Sequence, residues 1–282
     1  MKFLSLGAGV QSSTLLLMMC KGELPKADHA IFADTGWEPK TVYSYLGFLR
    51  KHAEAAGIKV HVVSYGDIRG DSLNAWLPND SKPIGHSFAT LPFFTKWPDG
   101  TPGMLQRQCT NRYKIHVIDK KMREILGVKS FRECQSGSIE QYFGISADEM
   151  QRTRTSNRKA IRFMYPFIWR NSSSDAPLDW IRPGITRQDC LTWIKKNGYP
   201  LPTRSACIGC PYHSNAEWRS MRDTRPEDWA DAVAFDKAIR HPKALEGTCY
   251  LHPQRVPLDE ADLKNDDPNQ LVFGECEGMC GV

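Results

Sequence analysis

Lys2-Phe3-Leu4-Ser5-Leu6, then Gly7-Ala8-Gly9-Val10-Gln11-Ser12-Ser13, then the apolar run 14–20, is the stretch whose reading decides the fold. A short apolar segment, a turn of small residues and a helix-like run read as strand, tight turn, helix. Such a turn gathers backbone N–H groups and the positive end of a helix around one point, which suits an anion. Ser5, Ser12 and Ser13 add hydroxyls there. A second strand-like run, 29–33, ends in Asp34-Thr35-Gly36, and Trp37-Glu38-Pro39-Lys40-Thr41 leads into a helix. An aspartate at the carboxyl end of the neighbouring strand can accept from a ribose hydroxyl or reach a metal. One strand end would hold phosphate and the next the nucleoside.

Outward from this stretch, residues 1–64 alternate strand and helix, which predicts a parallel sheet with helices on its faces. The chain of 282 residues is long enough for one large α/β domain or a domain with a smaller module. Its hydrophobic content of 41% and charged content of 24% are those of an ordinary globular protein. No apolar run approaches the ~20 residues of a membrane span, and the apolar start is broken by Gly7 and Gly9, unlike a signal peptide. The expected location is the cytoplasm, without membrane contact. The net charge of +5 permits anionic partners without requiring them. Nine cysteines, an odd number unevenly spaced, point to metal or redox work more than to disulfides.

Residues 65–108 lack periodicity and are rich in proline and glycine, so they read as a long loop or lid, with Phe88, Phe93, Phe94 and Trp97 packing it down or stacking on a base. A helix is expected from about Cys109 to Leu126, with Cys109 at its start and Lys114 on its first turns. Residues 139–145 read as a strand, followed by Ser146-Ala147-Asp148-Glu149-Met150-Gln151-Arg152. The basic run 152–170, interleaved with Tyr165, Phe167 and Trp169, is the candidate for nucleic-acid contact. Thr186 with Asp189 reads as the capped start of a helix through Asn197, in which Cys190 is a buried small residue. Cys207-Ile208-Gly209-Cys210-Pro211 is a CxxC turn that aims two sulfurs at one point. Two amphipathic helices, about 215–222 and 226–240, precede a tail carrying Cys276 and Cys280. The division expected is a nucleotide-binding domain over 1–170 and a helical, cysteine-rich part over 171–282.

Several of these motifs carry a resemblance. Gly7–Ser13 resembles the SGGxDS pyrophosphate loop of the PAPS-reductase and ATP-pyrophosphatase (adenine nucleotide alpha hydrolase) superfamily, with Ala8 in place of a glycine and Gln11 in place of aspartate. Asp34-Thr35-Gly36 and Glu38-Pro39-Lys40-Thr41 are similar to its DTG…PET signature. Gly144, Ile145, Asp148, Glu149 and Arg152 match its G-[IVL]-R-x-[DE]-[EQ]-S-x-x-R element, where Ser146 replaces the arginine and Met150 the serine. The resemblance implies a HUP-like α/β fold and a bound adenine nucleotide, ATP with Mg2+ or a sulfonucleotide. It implies nucleotide contacts from Ser5, Gly7, Ala8, Gly9, Gln11, Ser12, Ser13, Asp34, Thr35 and Gly144. Lys114, Asp148, Arg152 and Cys276 become candidate catalytic residues.

The spacing of Cys109 and the CxxC pair resembles the iron–sulfur branch of that superfamily. Cys109, Cys207, Cys210 and either Cys276 or Cys280 would then hold a [4Fe–4S] cluster, with Zn2+ the alternative, favoured if His213 binds. The functions implied are ATP-dependent adenylation of a nucleic-acid acceptor for sulfur transfer, as in tRNA thiolases and DNA phosphorothioation enzymes, or PAPS/APS reduction. A sulfur or electron donor protein would be a further partner. A non-catalytic nucleotide- and metal-binding subunit is the third reading, suggested by Gln11.

Overall fold

The computed structural model describes residues 1–74, 91–168, 184–241 and 245–265. In chain order it runs β1 (Lys2–Leu6), α1 (Val10–Cys20), β2 (His29–Asp34), α2 (Lys40–Ala55), β3 (Lys59–Ser64), α3 (Ile68–Asn74), β4 (Phe94–Lys96) and β5 (Pro102–Met104). A π-helix (Thr110–Ile115) passes directly into α4 (His116–Leu126). Then follow β6 (Ile139–Phe143), β7 (Ile161–Met164), α5 (Arg187–Lys196), α6 (Asn215–Thr224), α7 (Pro226–Ala238) and β8 (Thr248–Tyr250).

Five strands form a parallel sheet in the order β3-β2-β1-β6-β7. Alternation along β1 explains the layers, because successive side chains point to opposite faces. Leu4 and Leu6 turn to the face covered by α1, α2 and α5, and Phe3 turns to the face covered by α4. Helix α1 is buried all round from Val10 to Met19, packed between the sheet, α2 and α5, so it shows no polar stripe. The expected α/β class, a parallel sheet between helices, is the fold observed.

A separate apolar cluster lies beyond the carboxyl ends of β2 and β3. It joins Trp37, Ile68 and Tyr113 to Cys207, Ile208, Trp218, Phe235 and Cys249. Beside it β4 pairs antiparallel with both β5 and β8.

The reading of 65–108 as one long loop needs correction. Its described parts hold α3, β4 and β5. The strands are three residues each, and β4 pairs with β8 from far along the chain, so neither leaves a period in the sequence. Phe93 and Phe94 pack as expected, while Trp97 is partly exposed and Phe88 lies outside the described residues. The helix expected from Cys109 begins instead as a π-helix. Cys190 is fully buried, and Thr186 and Asp189 form the expected reciprocal cap. No described helix is long and apolar enough to cross a membrane.

Candidate functional site

The chain order of the sheet reverses at β1, which has β2 on one side and β6 on the other. In open parallel sheets the crevice at such a reversal, beyond the carboxyl ends of the strands, is where ligands bind. The turn Gly7–Gly9 after β1 and the segment Gly144–Ser146 after β6 both border it.

The turn has the build of an anion cradle. Ala8 takes a left-handed φ of +57° while buried. A non-glycine residue held there stores strain that clusters at functional sites. The first intrahelical bond of α1 runs from Ser13 N–H to Gly9 O at 3.1 Å, so the N–H groups ahead of it point out of the helix end. Gly7 N–H donates to Ser12 Oγ at 3.2 Å, which closes the turn on itself. On the same first turn Ser13 Oγ and Gln11 Oε1 are buried without a hydrogen-bond partner among the described residues. Gly144 must be glycine because a Cβ would lie 2.5 Å from Ser12 N and 2.6 Å from its Cα. Strand β6 thus ends against the first turn of α1.

Gln11 anchors this turn to the far wall. Its Nε2 donates to Glu149 Oε2 at 3.0 Å and lies 3.3 Å from Ser146 Oγ. Arg152 Nη1 donates to the same Glu149 oxygen at 2.5 Å. Glu149 therefore brings a carboxylate beside the position where the resembled loop has an aspartate. Asp148 faces elsewhere, accepting from Arg187 N–H at 3.0 Å at the start of α5. Ser5 also points away from the turn: its Oγ accepts from Gln141 Nε2 at 2.9 Å on the α4 face. Side-chain alternation on β1 is the reason.

At the end of β2, Asp34 Oδ1 accepts from Gly36 N–H and from Tyr43 Oη, each at 2.8 Å. The next residue reaches the cysteines, with Thr35 Oγ1 3.2 Å from Cys207 Sγ. Two backbone features fix that contact. Ile208 N–H donates to Trp37 O at 2.9 Å, and Gly209 lies so close to the Trp37 ring that a Cβ there would fall 2.1 Å from it. The CxxC turn is therefore seated on the segment that follows β2.

Beneath it lies a buried ion pair. Lys114 Nζ is 3.9 Å from Glu38 Oε1, with the side chains 7% and 1% exposed. Ser205 Oγ donates to the other Glu38 oxygen at 3.5 Å. Lys114 gets there from the π-helix, a form that recurs at functional sites. Burial, with the Glu38 charge second, pushes the Cys207 thiol well above its ordinary range, and Lys114 opposes this. Sequence reasoning passed over Glu38, Glu149 and Ser205 as site residues. Glu38 and Glu149 stand inside recognisable motifs, but nothing in the sequence shows their burial.

Cys109 takes the N-cap position of the π-helix, and it and Cys210 pack half-buried against the cluster that contains Cys207. Cys210 N–H donates to Cys207 O at 3.0 Å. His213 is committed to the same turn, with Nε2 3.0 Å from the Cys207 carbonyl oxygen. Among the described residues, no three histidine, cysteine, aspartate or glutamate side chains converge to hold a metal ion. Cys276 and Cys280 lie outside the described residues. The described donors therefore do not fit a [4Fe–4S] cluster or a zinc ion by themselves.

The basic run 152–170 is not the open stripe it reads as. Arg152 pairs with Glu149, Arg158 with Asp119 and Arg162 with Glu140, acids that a local window of sequence cannot reveal. Tyr165 and Phe167 are buried in the core and present no ring to a base. Trp169 and Arg170 lie outside the described residues.

No protein-family model matches this sequence, and no curated protein matches it. Among solved structures the chain has a loose likeness to the phosphoadenylyl-sulfate (PAPS) reductase of Candida auris, crystallised as a phosphate complex. The identity is 16%, the TM-score 0.39, and the match covers 71% of this chain and 74% of that one.

Proposed function

We propose that this chain is an enzyme of adenine-nucleotide chemistry that activates an acceptor with ATP and passes sulfur to it. The observation that carries the reading is the 3.2 Å contact of Thr35 Oγ1 with Cys207 Sγ. It seats a thiol pair at the end of the strand beside the one that leads into the anion cradle. A nucleotide phosphate and a sulfur nucleophile would then meet in one crevice.

In this reading the phosphates of ATP, with the Mg2+ that accompanies them, lie against the N–H groups at the start of α1. Arg152, steadied by Glu149, offers a guanidinium at the rim, and Asp34 faces the ribose. An oxygen of the acceptor attacks the α-phosphorus, its bond to pyrophosphate breaks, and an acceptor–AMP ester forms. A sulfur nucleophile then adds at the activated carbon, and AMP departs with the former acceptor oxygen. The protein's share is positioning and stabilisation of phosphate charge. Cys207 and Cys210 supply sulfur chemistry, and Lys114 provides the cation that offsets a negative charge on Cys207.

The test is pyrophosphate release from ATP in the presence of transfer RNA or DNA and a sulfide source, with sulfur incorporation into the acceptor followed by mass spectrometry. Acceptor-dependent pyrophosphate release supports the reading. Sulfite release from a sulfonucleotide with thioredoxin, without pyrophosphate chemistry, would replace it with the reductase. ATP binding without turnover on any acceptor would leave the non-catalytic subunit.

A further inference from the structure

On the sheet face covered by α4, that helix lies over β2 and β3 and leaves the β6–β7 half to two loops. Residues 129–136 precede β6 and residues 157–160 precede β7. With α4 they wall a cavity of about 840 Å³. Arg123, Lys129, Arg132, Arg158 and Lys159 line it against a single carboxylate, Asp119.

That carboxylate is already engaged. Arg158 Nη1 donates to Asp119 Oδ1 at 2.6 Å, and Nη2 donates to Oδ2. Carbonyls hold Arg123, whose Nε donates to Asp119 O at 3.3 Å and whose Nη1 donates to Lys129 O at 3.0 Å. Carbonyls orient a guanidinium without cancelling its charge. Glu133, next to the cavity, accepts from Ser130 N–H at 2.7 Å in a reciprocal cap that fixes the loop. Lys129, Arg132 and Lys159 are exposed and enter no ion pair among the described residues. Two rings stand in the wall: Phe131 is buried with the Arg158 guanidinium 5.1 Å from its centroid, and the exposed imidazole of His116 meets the Tyr65 ring edge-on at 6.2 Å.

We infer that this cavity docks the phosphate backbone of a nucleic acid, gripped by charge. Fixed cations with uncommitted neighbours recognise phosphate. As the docking site of the acceptor it rests on the function proposed above. As a nucleic-acid site it stands on the cavity alone. It also moves the nucleic-acid contact from the run 152–170 to a surface made by two loops, of which only 157–160 belongs to that run.

The test is binding of a labelled single-stranded RNA across a salt series. The variant Lys129→Ala/Arg132→Ala/Lys159→Ala should bind about tenfold or more weakly at ~0.1 M salt, with the slope of log affinity against log salt smaller by about 2. A control with equal loss of charge, Lys51→Ala/Lys195→Ala/Lys196→Ala, changes exposed lysines elsewhere and should keep both values. An equal loss in the control would overturn the assignment. So would absence of RNA binding by the unaltered chain, or inorganic pyrophosphate binding the cavity as tightly as RNA does. ATP binding is measured on the same proteins. RNA binding through the cavity by a chain that does not bind ATP would sink the proposed function and leave this inference standing.

Discussion

Ala8 is the residue where sequence and structure disagree most usefully. The resembled loop has a glycine there, and the backbone still takes the left-handed φ of +57° that glycine would adopt freely. Alanine in that conformation costs roughly 1 kcal/mol. Ala8→Gly should therefore leave stability unchanged or raise it by up to about 1 kcal/mol, against the usual loss on such a change, as read by denaturant unfolding. A clear loss of stability would mean that the φ is not strained. Glu38 and Lys114 give a second residue-scale prediction. Removing one member of a buried pair leaves an uncompensated charge, so Glu38→Gln should destabilise by roughly 2–4 kcal/mol. The double variant Glu38→Gln/Lys114→Met should recover much of that in the same unfolding experiment. The pair itself was not legible from sequence: Glu38 reads as part of a motif and Lys114 as a candidate catalytic residue early on a helix, with nothing to show that they meet.

At the scale of elements, β1, β2, β3 and β6 stand where the sequence puts them, because their apolar runs are bounded by turn residues. The elements it misses include α3 and the strands β4, β5 and β8, which are short and paired antiparallel with one another. The π-helix ahead of α4 is also invisible in sequence, since apolar spacing does not distinguish it from an α-helical start. Helix α6 was legible at its beginning and carries a pH dependence. Ser214 caps it reciprocally with Glu217, whose carboxylate also accepts from Arg204. Burial works to raise the Glu217 pKa, but nearby His213 and the Arg204 charge prevail and hold it at about 2. Its contribution to stability is complete above the unfolded value of 4.5 and disappears as pH falls through about 2. His213 is lowered, chiefly by burial, so the unfolded chain takes up that proton first and stability also drops as pH falls below 6.5. The unfolding midpoint should thus fall in two stages from about pH 8 to about pH 3. In Glu217→Gln the second stage should shrink, the remainder coming from exposed carboxylates such as Asp189 and Asp259 that are also held low; an unchanged second stage would show that Glu217 does not contribute to it.

For the whole molecule, the sequence carried the parallel sheet and both strand-end turns, because each is local. It could not show that the CxxC turn from the far end of the chain rests on Trp37, or that Glu149 stands over Gln11. Those contacts exist only once the sheet has formed. The claim on which the account depends is that adenine-nucleotide phosphates bind at Gly7–Ser13. Calorimetric titration of the whole chain with ATP and Mg2+ tests it, beside a Gly9→Asp variant that sets a carboxylate in the cradle. The account predicts saturable binding to the unaltered chain, in the range of about 1 μM to 1 mM usual for enzyme substrates, and its loss in the variant while the fold persists by circular dichroism. Failure of the unaltered chain to bind ATP, or equal binding by both proteins, would contradict it.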